Sequence, residues 1–181
     1  MLSPIKTMFM YFPLQAYGTV FVLVLISWYT FKRLRMRYEA GSLSRKRAMA
    51  GWILLNYVLL LLFLTVLGRR SLDYDRYNFD IFYSYRDVLT TGDAGMAIQI
   101  AANIAAFVPV GVLGSLAAKR WGFLKGLLLG IGLSLCIETL QLIMRNGTCE
   151  VDDLISNSIG TLIGCLLALM TRRWFASFKT E

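Results

Sequence analysis

Five long apolar runs divide the chain, at about residues 10–31, 49–67, 96–118, 121–144 and 154–170. Each is close to the roughly 20 residues (about 17–25) that a helix needs to cross the hydrocarbon core of a bilayer. The chain is 57% hydrophobic, above the roughly 45–50% of soluble domains. Its placement in uninterrupted runs is what separates it from a rich soluble core. The pattern predicts an all-α membrane protein: a single transmembrane domain over residues 1–181, built as a bundle of about five helices in the cell membrane. The first run is too long for a signal peptide. It is followed at once by Lys32, Arg33, Arg35 and Arg37 with no small-residue cleavage pattern, so it reads as a retained helix.

The formal charge is +8, with 19 Lys and Arg. These cations sit in short segments flanking apolar runs, a placement that argues against nucleic acid as a partner and for the lipid bilayer. Lys32, Arg33, Arg35, Arg37, Arg45, Lys46 and Arg47 crowd between the first two runs. The positive-inside rule puts that loop in the cytoplasm, and alternation then places Lys119, Arg120, Lys125, Arg172, Arg173 and Lys179 there too. The expected topology has the N-terminus out and the C-terminus in. Apart from Glu39 and Glu181, the acids fall outside or in the outer half of a helix. Acids contribute little to topology, so this clustering asks for another cause.

The chain has no histidine. That removes the Ser-His-Asp hydrolases, the H-E-x-x-H metalloproteases and phosphohistidine phosphatases. Cys136, Cys149 and Cys165 form no C-x-x-C pair, so neither a disulfide framework nor a zinc site is expected, and the thiols read as small apolar residues.

Helices in lipid associate through small residues that let backbones approach closely. Gly122, Gly126, Gly130 and Ser134 recur every four residues in the fourth run, and Ser156, Gly160 and Gly164 do so in the fifth. The third carries Ala102, Ala106, Gly111 and Ser115. These three runs should form a tight bundle. Pro109 sits within the third and removes one helical hydrogen bond. Neighbouring helices can satisfy the freed carbonyl.

Glu138 is the next position on the fourth-run stripe, so it should face the bundle. Gln141 and Arg145 follow at i+3 and i+7 on the same helical face. An Asn-Gly turn at Asn146-Gly147 leads to Asp152 and Asp153, acids suited to a helix N-terminus. Asn157 lies one turn beyond Asp153, and Gln99 and Asn103 stand near the outer end of the third run. Intramembrane ionisable residues mark functional sites by default. Arg145 could pair with a phosphate or carboxylate, and the outer acids could take Mg2+ or Ca2+ through oxygen, although no resident metal or cofactor is called for. The outer segment of residues 68–95 interleaves Tyr74, Tyr77, Phe79, Phe82, Tyr83 and Tyr85 with Asp73, Asp75, Asp80 and Asp87. It suits either an interfacial element or an aromatic loop packed on the bundle.

Two stretches resemble the VanZ-like family of integral membrane proteins. One is Asn103-Ile104-Ala105-Ala106-Phe107-Val108-Pro109-Val110-Gly111. The other is Glu138-x-x-Gln141-x-x-x-Arg145, followed by Val151-Asp152-Asp153-x-x-x-Asn157-x-x-Gly160. The resemblance covers about residues 50–170. Asn78-Phe79-Asp80-Ile81-Phe82 lacks the proline that the family often has there, and Met144 stands where a glycine is common. The resemblance implies a cell-envelope protein that lowers susceptibility to teicoplanin-type glycopeptides. On that view Asn103, Glu138, Gln141, Arg145, Asp152, Asp153 and Asn157 would bind a lipid, a lipid-linked cell-wall precursor or the lipoglycopeptide itself at the outer leaflet. A non-enzymatic role is preferred. The rivals are a membrane enzyme acting on a polyprenyl-phosphate or glycolipid, and a lipid transporter.

Overall fold

The structure, a computed structural model, describes residues 14–67 and 76–177. Six α-helices follow in order: α1 Leu14–Glu39, α2 Arg45–Leu62, α3 Tyr83–Thr91, α4 Ala94–Ala117, α5 Gly122–Met144 and α6 Val151–Ser177. A π-helical turn, Phe63–Leu67, closes α2. Two short strands, β1 Arg76–Asn78 and β2 Thr148–Glu150, pair in parallel with Tyr77 opposite Cys149.

The chain is a helical, multi-pass membrane bundle. Among the described residues, four helices are long and apolar enough to cross a bilayer: α2 with its π-helical turn, α4, α5 and the first 21 residues of α6. The first expected span starts outside the described residues, and its remainder lies in α1. Lys6, Arg69, Arg70, Asp73, Tyr74, Asp75, Lys179 and Glu181 also lie outside the described residues.

Burial is inverted relative to a soluble protein. Ser134, Ser156 and Thr161 are fully buried, while Leu128, Leu135, Ile143, Leu166 and Met170 are exposed. Lipid solvates such an apolar exterior, so cohesion must come from close packing and from hydrogen bonds inside. The small-residue stripes supply the packing. A Cβ on Gly160 would collide with the Ile104 carbonyl, and one on Gly164 with the Val108 carbonyl. From the other side, a Cβ on Gly111 would strike the Thr161 carbonyl. The backbones of α4 and α6 therefore touch along two turns. Gly114 meets Gly126, and Gly130 lies against Thr161, which draws α5 onto both.

The Pro109 turn does not break α4. The Tyr57 hydroxyl of α2 donates to the Ala106 carbonyl at 2.8 Å, beside the Ala105 carbonyl whose partner Pro109 removes. An apolar cluster of Leu54, Leu61, Val66, Phe107, Val110 and Ile137 joins α2, α4 and α5. α1 packs on α2 through an edge contact between Phe31 and Trp52, whose indole N–H donates to the Ser27 carbonyl.

The described part of the outer aromatic segment begins at Arg76. It supplies β1 and then α3, whose entry residue Phe82 is left-handed at φ 63°. Gly92 at φ 72° ends α3, and the Asp93 side chain caps α4 through Gly95 N and Met96 N. All three cysteines are free thiols. Cys165 is buried, but Cys136 is exposed, so only the former behaves as a core residue.

The carbonyl contact at Gly160 leaves no room for a methyl group. Gly160→Ala should destabilise the bundle by about 1–3 kcal/mol through overpacking. The expected result is a lowered thermal midpoint in detergent, whereas Gly132→Ala, where a Cβ meets nothing, should leave it unchanged.

Candidate functional site

α2, α4, α5 and α6 converge at the end away from the basic loops. The opposite end gathers Ser44, Lys46, Arg47, Ala118 and Lys119. Between the converging ends lies a cavity of about 390 Å³, within the range of small-ligand sites. Its floor is apolar, made by Leu61, Ala106, Phe107 and Ile137. Its walls are polar: Thr65 from the π-helical turn, Gln99 and Asn103 from α4, and Glu138 and Gln141 from α5. Thr148 and Glu150 from β2, with Asp153 and Asn157 from α6, complete them.

The hydrogen bonds show how these side chains are held. The Asn103 amide donates to Asp153 Oδ1 at 2.6 Å, which ties α4 to α6. The Asn157 amide donates to Ser134 Oγ at 2.9 Å, tying α6 to α5. Glu138 Oε2 accepts the backbone N–H of Glu150 at 3.0 Å, so the carboxylate orders β2. Gln141 Nε2 donates to the Thr65 carbonyl at 3.1 Å, and Asn146 Nδ2 donates to the Val66 carbonyl at 2.5 Å. These two amides close the C-terminal end of α2, where helical carbonyls lack partners of their own.

Five of the sequence-predicted residues thus come together around the cavity: Asn103, Glu138, Gln141, Asp153 and Asn157. Two do not. Arg145 caps the C-terminal end of α5, one residue past Met144, and turns left-handed at φ 52°. The chain leaves the helix there, so the i+7 spacing no longer carries its side chain onto the Glu138 face. Arg145 is exposed and does not line the cavity. Asp152 is 3% exposed and faces α3. Its Oδ1 accepts the Phe82 N–H and its Oδ2 the Ser84 N–H, each at 2.7 Å. It is the cap of α3, delivered from another helix. The Tyr85 hydroxyl pairs with Ser156 Oγ at 2.7 Å, holding α3 to α6 a second time.

Sequence reasoning missed Glu150 and Thr65. Glu150 reads as part of a turn until β1 fixes the strand, and Thr65 reads as one more residue of an apolar run. Burial, and then the charges of Asp153 and Asp152, push the Glu150 carboxyl above the usual carboxylate range. The Cys149 thiol is likewise raised, first by burial and then by Glu138, Asp153 and Glu150. Both shifts come first from burial, with the neighbouring acids adding to them. Among the described residues, no three acids or thiols gather closely enough to hold a metal ion.

A sequence model of the family described as VanZ/LLP1 matches residues 19–172. This match takes in the basic loop and most of α1 as well as the two motif stretches. Protein VanZ of Enterococcus faecium is 34% identical over 65 residues, which is 36% of this chain and 40% of that protein. The chain therefore spans well under two thirds of that curated relative. No solved structure matches.

Two outcomes follow from this geometry. Asp152→Asn removes one acceptor from a pair of charge-assisted bonds, each worth about 1.5–3 kcal/mol. The thermal midpoint should fall by about 3–12 °C. Glu150 acts in the opposite direction. Its folded pKa lies above its unfolded one, so the native state holds that proton more tightly and ionisation opposes folding. The penalty is absent below the unfolded pKa, grows as pH rises to the folded value, and persists above it. In thermal scans of the ligand-free protein, Glu150→Gln should raise the midpoint at neutral pH. The gain should vanish below about pH 4, under the unfolded pKa of a glutamate.

Proposed function

The chain belongs to the VanZ/LLP1 family, and from that premise we propose that it lowers susceptibility to teicoplanin-type glycopeptides by binding a lipid-linked headgroup at the outer end of its bundle. The observation that carries this reading is the cavity itself. Five polar residues of the two motif stretches meet there, on three helices, around an apolar floor. A structural network alone would need no such space.

A headgroup ligand suits the surroundings. The cavity sits at the end of the bundle that carries α3 and the β1–β2 pair, remote from the cationic loops. Exposed Tyr77, Phe79, Phe82 and Tyr83 lie in the same segment. Aromatic rings at the headgroup level are a usual feature of membrane interfaces. A lipid-linked ligand could then keep its tail among lipids while its polar end enters between the helices. The protein would act by occupancy, limiting access of the glycopeptide to its target, and no bond need be made or broken.

Glu138 is 5% exposed and lines the cavity. Losing one charge-assisted bond to a ligand costs about 1.5–3 kcal/mol, or roughly 10–150-fold in affinity. Cells carrying the wild-type protein should therefore need more teicoplanin for inhibition than cells without it. Cells carrying Glu138→Gln at matched membrane abundance should lose that difference. Full resistance with the variant would sink the cavity as the working site, and no resistance with the wild type would sink the proposed role.

A further inference from the structure

The chemistry of the cavity walls specifies its ligand more narrowly. Most lining donors are already engaged. The Asn103 and Asn157 amide groups donate to Asp153 and Ser134. The Thr65 hydroxyl donates to the Leu61 carbonyl, and the Glu150 N–H to Glu138. The Gln141 amide group donates to the Thr65 carbonyl. A carbonyl can only accept, so this bond fixes which way the Gln141 amide faces and leaves its oxygen as a bare acceptor. That oxygen has no hydrogen-bond partner, and neither has Asn157 Oδ1, although both residues are more than nine-tenths buried. Buried acceptors left unsatisfied cost about 1–3 kcal/mol each, and they favour a ligand that brings donors.

We propose that the cavity binds a primary ammonium group that donates to the amide oxygen of Gln141, its charge offset by the carboxylates of Glu138, Glu150 and Asp153 that line the walls. This rests on the reading of the cavity as the headgroup site and names the part of the headgroup that enters it. An ammonium offers three donors and one positive charge, and accepts nothing. It complements a wall of acceptors and offsets the mutual repulsion of the acids. A phosphate would bring more acceptors and more negative charge.

The test is thermal unfolding of the purified full chain in a non-ionic detergent, with ethanolamine as soluble probe and with phosphatidylethanolamine bicelles as lipid probe. At tenfold excess over its Kd, a binding amine should raise the midpoint by about 3–6 °C. Glu150→Gln and Asp153→Asn should abolish the shift. Asp80→Asn, an exposed carboxylate away from the cavity, should keep it. A shift with ethanolamine supports any small primary amine as the entering group; a shift with the lipid alone supports an aminolipid.

Ethylene glycol keeps the size and loses the charge, so an equal shift with it overturns the proposal. Equal shifts with inorganic phosphate or MgCl2 overturn it as well, as does no shift with either amine. Because the wild-type probe series needs no variant, misfolding of a substitution cannot mimic failure. Amine binding without resistance would leave the ammonium site standing and remove the resistance role. Resistance lost in Glu138→Gln alongside amine-independent binding would do the reverse.

Discussion

Everything at the cavity end of the bundle depends on the backbone contact between α4 and α6. Glycines at 111, 160 and 164 let carbonyls of one helix lie directly on the other. In lipid there is no gain from hiding apolar side chains, so dispersion at short range and weak polar contacts must hold helices together. That closeness brings Asn103 within 2.6 Å of Asp153. It also lets α5 lean on both helices through Gly126 and Gly130, which carries Glu138 and Gln141 to the same place. The polar constellation is a product of glycine spacing a few turns below it.

A division of labour among the acids follows. Asp152 and Asp153 are sequence neighbours on one helix, about 100° apart around its axis, and they serve different partners. Asp152 closes the N-terminus of α3, and Asp153 stands in the cavity beside Asn103. Glu138 acts on both sides, since it orders the backbone of β2 while lining the cavity. The cover made by β1 and α3 and the pocket beneath it are therefore held by the same short stretch of sequence.

Much of this was legible in the residues. Run length gave the spans, the four-residue spacing of small side chains gave the packed faces, and the phase of Glu138 on that stripe gave its inward direction. What failed to read through was whatever depends on the chain leaving a helix. Arg145 shares the Glu138 face only if α5 continues, and its left-handed backbone ends α5 there. Asp152 looks like the cap of its own helix and instead caps another, 70 residues earlier in the chain. β1 carries too few residues for an alternating pattern to emerge, and its pairing with β2 is long-range. Glu150 is invisible for the same reason. Helical periodicity is local, and these features are set by contacts between distant segments.

The π-helical turn at Phe63–Leu67 has a mechanical meaning. Its Thr65 and Val66 carbonyls are held by amides on α5 and in the turn just after it. Sliding α2 along α5 by a single residue, a rise of about 1.5 Å, would break both bonds at once. Rotation of either helix about its own axis would do the same. The two helices are thus geared together, as α3 is to α6 through Asp152, Ser156 and Tyr85. Asn103 and Asn157 join these pairs across α4, α5 and α6, so on the proposed reading a guest meets a mould whose shape is already set. Little ordering remains to oppose its entry, and discrimination rests on how well its donors match the spacing it finds.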